Sequence, residues 1–174
     1  RSRTSAHKWY QVPEKMTYRE FLESKIELVQ DSGFIVDPAK INKALKPHQR
    51  DAVCWALKGG RRALFESFGL GKTIQEIEFC HQAADHCGGR ALIVLPLGVK
   101  QEFTRDAVEI LGYEKPEYCR TMEEVEQSSS QIVLTNYERV RDGDIRPEYF
   151  VATSLDEASV LRSFGSKTYQ TFLD

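Results

Sequence analysis

Two short runs in this 174-residue chain combine residue types at spacings that could do chemistry: the turn Glu66-Ser67-Phe68-Gly69-Leu70-Gly71-Lys72-Thr73 and the acidic pair Asp156-Glu157. Glycines at 69 and 71, with Leu70 between them, let backbone N–H groups wrap phosphate oxygens. Lys72 can then reach the terminal phosphates and the Thr73 hydroxyl can ligate magnesium. An aspartate at a strand end holds the metal's water shell, and the adjacent glutamate orients and deprotonates an attacking water. The two runs are the halves of a magnesium–nucleoside triphosphate site, and ATP and Mg2+ are the expected ligands. The strict phosphate-loop pattern has a glycine where this chain has Glu66.

Such a loop needs a strand before it and a helix after it. Arg61-Arg62-Ala63-Leu64-Phe65 ends in an apolar run suited to a buried strand, and Ile74, Ile77, Cys80 and His81 recur at helical spacing after Thr73. The partial positive charge of that helix's N-terminus adds to the phosphate site. A helix is predicted from Pro47 to Gly59-Gly60, with Ala52, Val53, Ala56 and Leu57 on its buried side. Gln49, near its start, carries an amide donor and acceptor that match the edge of adenine. Apolar strands are expected at 91–96, at 131–136 and over 149–155, the last leading into Asp156. A helical stretch over 98–111 ends near Gly112, a short helix is read at 122–125 and a serine loop at 128–130.

These elements predict an α/β fold, a three-layer domain with a mainly parallel sheet and ligands at the carboxyl ends of its strands. A helical N-terminal arm precedes it. There, Thr17-Tyr18-Arg19-Glu20 reads as a capping box before Phe21, Leu22, Ile26, Leu28 and Val29, giving a helix over 18–30. The expected division is an arm over 1–44 and a nucleotide-binding lobe over 45–174.

Composition narrows the classes. With 41% hydrophobic residues the chain can bury one good core. Its 24 basic and 26 acidic residues leave a formal charge of −2, so any nucleic-acid contact is local rather than a global basic field. No apolar run approaches a membrane span and the N-terminal residues lack the apolar centre of a signal peptide, which predicts a cytoplasmic protein without a membrane partner. Cysteines at 54, 80, 87 and 119 form no CxxC pair, and the ligand-rich run Cys80-His81-Gln82-Ala83-Ala84-Asp85-His86-Cys87 cannot converge tetrahedrally on one helix.

In series, these motifs resemble the first RecA-like lobe of superfamily-two helicases and translocases of DEAD/DEAH type, most of all the Swi/Snf-like branch, with phage and prophage helicases as a closer likeness. Leu45 to Gln49 resembles the adenine-recognition motif, Glu66 to Thr73 the Walker A loop, Leu92 to Leu97 motif Ia, Ile132 to Glu138 motif Ib, and Asp156-Glu157-Ala158-Ser159 motif II. The resemblance implies that Gln49 recognises adenine, Gly69, Leu70, Gly71 and Lys72 bind phosphates, Thr73 and Asp156 hold magnesium, and Glu157 and Lys72 act in catalysis. It further implies that Pro96, Leu97, Thr135 and Asn136 face a nucleic-acid backbone. In that family a coupling segment and a second RecA-like lobe follow motif II. The resemblance therefore describes an ATP-binding lobe of a DNA-dependent ATPase, truncated after motif II and inactive alone. Two other readings share these motifs: a nucleotide-binding interaction module without motor activity, and the translocase subunit of a restriction-type enzyme.

Overall fold

The computed structural model describes Thr17, residues 31–64, Glu66 and residues 69–157. The predicted helix over 18–30, Phe65, Ser67, Phe68 and the residues after Glu157 lie outside these. Helix α1 spans Pro47–Gly59 and α2 spans Lys72–Cys87. Strand β1 (Ala91–Val94) leads through a 3-10 turn (Leu97–Val99) into α3 (Lys100–Arg105), which continues as a π-helical turn over Asp106–Ile110. There follow β2 (Glu117–Tyr118), α4 (Met122–Gln127), β3 (Ile132–Thr135), α5 (Tyr137–Arg141) and β4 (Ala152–Leu155).

The four strands form one sheet in the order β2-β3-β1-β4, every pair parallel. Ala91 stands opposite Ile132 on one side and Ala152 on the other. Strands β1 and β3 are buried at every position, so they read as unbroken apolar runs; β4 is only half covered. Alternation of side chains across the sheet divides the core in two. Ala91, Ile93, Ile132 and Leu134 pack with Val53 and Leu57 of α1, Ile77 and Cys80 of α2, and Phe103 of α3. Leu92, Val94 and Val133 pack on the other face with Val125 of α4, and with Tyr137 and Val140 of α5. Helices on both faces make the three-layer α/β architecture that the sequence predicts.

Two expectations differ from the structure. Arg61–Leu64 forms no strand, and Ala63 and Leu64 are exposed. The fourth strand is instead β2, only two residues long and formed within a stretch that carries no strand pattern of its own.

The described part of the predicted arm joins the same core, with Ile41 buried and Phe34 and Val36 packed against the cluster. A helix leaves its last carbonyls without intrahelical donors, and here the preceding chain supplies them. The N–H groups of Ser32, Gly33 and Phe34 donate to the carbonyls of Gly59, Lys58 and Leu57 at 3.2, 3.2 and 3.0 Å. A Cβ at Gly33 would stand 1.8 Å from the Leu57 carbonyl oxygen, so only glycine allows this approach. Buried Glu78 fastens the next turn, accepting from the Asn42 N–H at 3.0 Å, the Gln82 amide at 2.9 Å and the Tyr113 hydroxyl at 2.5 Å. The potential metal ligands of α2 diverge: Cys80 enters the core, His81 stacks on Tyr113 and His86 on Phe34. Among the described residues no helix is long and apolar enough to cross a membrane.

Candidate nucleotide-binding site

The phosphate loop ends where α2 begins. Gly71 is the N-cap, in the left-handed region at φ 74°, and a Cβ there would come within 2.5 Å of the Gln49 amide nitrogen. The dihedral favours glycine, and a side chain there would also have to displace the Gln49 amide. A glycine cap has no side-chain acceptor, which leaves the first-turn N–H groups for an anion.

Two buried amides hold this loop. Gln49 accepts the Lys46 N–H at 2.8 Å and donates to the Leu70 carbonyl at 2.7 Å, so its amide is engaged at both ends. Gln75, which no sequence motif above singled out, donates to Glu66 Oε2 at 2.8 Å and to the carbonyls of Leu70 and Gly71 at 3.3 Å each. Lys72 Nζ donates to the Glu66 carbonyl at 3.5 Å. Glu66, which replaces the first glycine of the strict pattern, thus serves as a fastening point on the loop's near side.

The acidic pair sits at the carboxyl end of β4. The Asp156 N–H donates to the Val94 carbonyl at 2.9 Å, and the Tyr137 hydroxyl donates to the Asp156 carbonyl at 2.6 Å. Strand β1 and helix α5 therefore fix the turn from two sides. Glu157 itself adopts φ 55°, the one non-glycine residue with positive φ among the described residues. A left-handed glutamate is strained, and such strain gathers at functional turns.

The electrostatics join the two runs. Partial burial raises the proton affinity of Asp156 first, the neighbouring Glu157 raises it further, Lys72 opposes both, and Glu102 adds a small upward contribution. Glu102 reaches over from α3, where its Oε1 accepts the Thr73 hydroxyl at 3.3 Å. Beneath them Glu76, one turn after Lys72, has its Oε1 shielded from solvent without a hydrogen-bond partner. Its carboxyl pKa is pushed up to about 8, chiefly by desolvation and further by Asp156, against the opposing Ser154 hydroxyl. The Thr73 hydroxyl and the carboxyls of Asp156 and Glu102 are hard oxygen donors of the type magnesium takes, although no three acidic, His or Cys side chains gather into a ready-made metal cage among the described residues.

The strand-end candidates separate. Leu97 is 57% exposed and Pro96 half-buried. Thr135 and Asn136 are buried and bonded within the fold, the Thr135 hydroxyl donating to the Cys119 carbonyl at 2.9 Å and Asn136 Oδ1 accepting from the Tyr118 hydroxyl at 3.0 Å. Lys100 Nζ lies 4.9 Å from the centre of the Tyr118 ring. Two hollows of about 440 and 470 Å³ flank that pair, and neither is lined by the phosphate loop or the acidic turn. The loop and turn occupy an open rim.

No known protein family's sequence model matches this chain, and no curated protein's sequence does. Solved structures do. The Sulfolobus solfataricus SWI2/SNF2 ATPase core, determined in complex with dsDNA, matches at a TM-score of 0.62 and 18% identity over 79% of this chain and 31% of its own. The UvsW helicase of bacteriophage T4 matches at 0.58 and 17% identity over 91% of this chain and 55% of its own. A second structure of T4 UvsW gives 0.59 at 18% identity, covering 91% and 32%. The match thus spans between 31% and 55% of those longer chains. At such identities the likeness is one of fold, the α/β fold that this chain shares with part of each of these ATPase and helicase structures.

Proposed function

We propose that this chain is the ATP-binding lobe of a nucleic-acid-dependent ATPase of the helicase or translocase type, with DNA as its polymer. The observation that carries the reading is that the charge of Lys72, at the start of α2, acts on Asp156, just after β4, although 84 residues of sequence separate them. In this reading the N–H groups from Gly69 to Thr73 and the Lys72 ammonium bind the phosphates, Thr73 and Asp156 hold magnesium, and Glu157 takes the proton of the attacking water. Bound magnesium supplies neutralisation of the phosphate charge. Gln49 recognises adenine only by exchanging its bond to the Leu70 carbonyl, so base recognition and loop posture are linked through one amide. Residues 1–44 are the arm and 45–174 the lobe; Pro96 and Leu97 meet the nucleic-acid backbone, and Thr135 and Asn136 shape the strand ends that present it. The likeness to a SWI2/SNF2 core solved with dsDNA supports DNA as a partner.

Lys72→Ala tests the nucleotide assignment. It removes the cation beside the loop, and calorimetry with Mg·ADP is expected to show binding by the parent and none by the variant, with Lys58→Ala behaving as the parent. Equal affinity for all three rejects the proposal.

A further inference from the structure

We propose that Glu102 is a positioning residue of the metal site, accepting the proton of the Thr73 hydroxyl so that the hydroxyl's lone pairs are left for the cation. This rests on the nucleotide reading above and assigns a residue to it from outside every motif. A hydroxyl has one hydrogen and two lone pairs. To ligate a cation it must turn a lone pair inward, and its hydrogen must then find an acceptor elsewhere. Glu102 Oε1 is that acceptor at 3.3 Å, across 29 residues of sequence. Glu102 lies on the exposed side of α3, and the next residue, Phe103, is 1% exposed and anchors that helix in the core. Glu102 also raises the proton affinity of Asp156, which puts its charge at the same rim. Groups that orient a metal ligand through a hydrogen bond act on metal affinity rather than on the fold.

The measurement is ADP affinity with Mg2+ and with EDTA, whose ratio isolates the gain that metal provides. Glu102→Ala is expected to reduce that ratio about tenfold while leaving the EDTA affinity at the parental value. Glu102→Gln keeps an acceptor oxygen without the charge and is expected to restore most of the gain. In a Thr73→Ala background, Glu102→Ala is expected to change nothing further. An unchanged ratio in Glu102→Ala, a Glu102→Gln variant as impaired as the alanine, or additive losses with Thr73→Ala each overturn the assignment while leaving the nucleotide reading intact. A parent that binds no ADP overturns that reading, and this one with it.

Discussion

Glu76 shows what a single side chain costs when its neighbours are chosen for chemistry. It lies one helical turn after Lys72 and so on the same face of α2, facing Ser154 and Asp156 on β4, with Tyr137 and Cys80 also near enough to interact. Its carboxyl holds its proton up to about pH 8, against an ordinary value of 4.5. Between those values the folded chain keeps a proton that the unfolded chain has released. Stability from this group is therefore full below about pH 4.5 and is lost as pH rises toward 8. Glu76→Gln keeps the shape of the protonated acid and removes the titration. Urea denaturation should give similar midpoints for parent and variant at low pH and a higher midpoint for the variant near pH 8, with equal slopes in urea. A parent and variant that lose stability in parallel across this range would show that Glu76 is ionised in the folded chain. The residues of the two motifs were legible in the sequence because their types and local order carry the signal. Glu76 and Glu102 were not, since each gains its role from a partner on another element.

At the scale of elements, the phosphate loop depends on the start of α2 for its posture. Gln75 Nε2 holds Glu66, Leu70 and Gly71 together. Gln75→Ala leaves those acceptors unpaired, which costs on the order of 1–3 kcal/mol. The expected result is a lowered melting temperature, faster amide exchange over residues 69–71, and weaker ADP binding because the loop must be ordered at the moment of binding. Parental exchange over the loop would rule out this role. Spacing and glycine stops located α1, which spans Pro47–Gly59 with Gly60 at φ 74°, and the segment after β1, which ends at Gly112 at φ 68°, whereas the short α5 over Tyr137–Arg141 was not read. The three longer strands were read from their apolar runs, including the half-covered β4. Glu117–Tyr118 escaped because two residues cannot display a period and their pairing to β3 comes from tertiary context. Ala63 and Leu64 misled for the converse reason, being apolar yet outside the sheet.

For the molecule as a whole, sheet order determines what the rim can do. Ends of β1 and β4 lie side by side, with Asp156 bonded to Val94, and they bring the acidic turn to the start of α2. The rim is open, with Leu70 41% exposed and Glu157 also exposed, so a nucleotide seated there is covered from one side only. Hydrolysis requires charge-stabilising groups around the transferred phosphoryl group. The 174 residues alone are thus expected to release phosphate slowly and without stimulation by duplex DNA, and a longer protein carrying a second lobe to respond to DNA. Steady-state phosphate release with and without DNA checks both; strong DNA stimulation of the 174 residues alone would refute the one-sided site.

If Glu157 has the proposed role of base, its left-handed backbone sets stability and activity in opposition at one codon. Glycine relaxes that φ and asparagine tolerates it better than glutamate, but neither supplies a carboxylate. Selection of a position-157 library for thermal persistence alone therefore drifts toward glycine and asparagine, while selection for turnover retains glutamate. The difference between the two outcomes makes this position a natural gauge of how strongly a lineage still depends on hydrolysis.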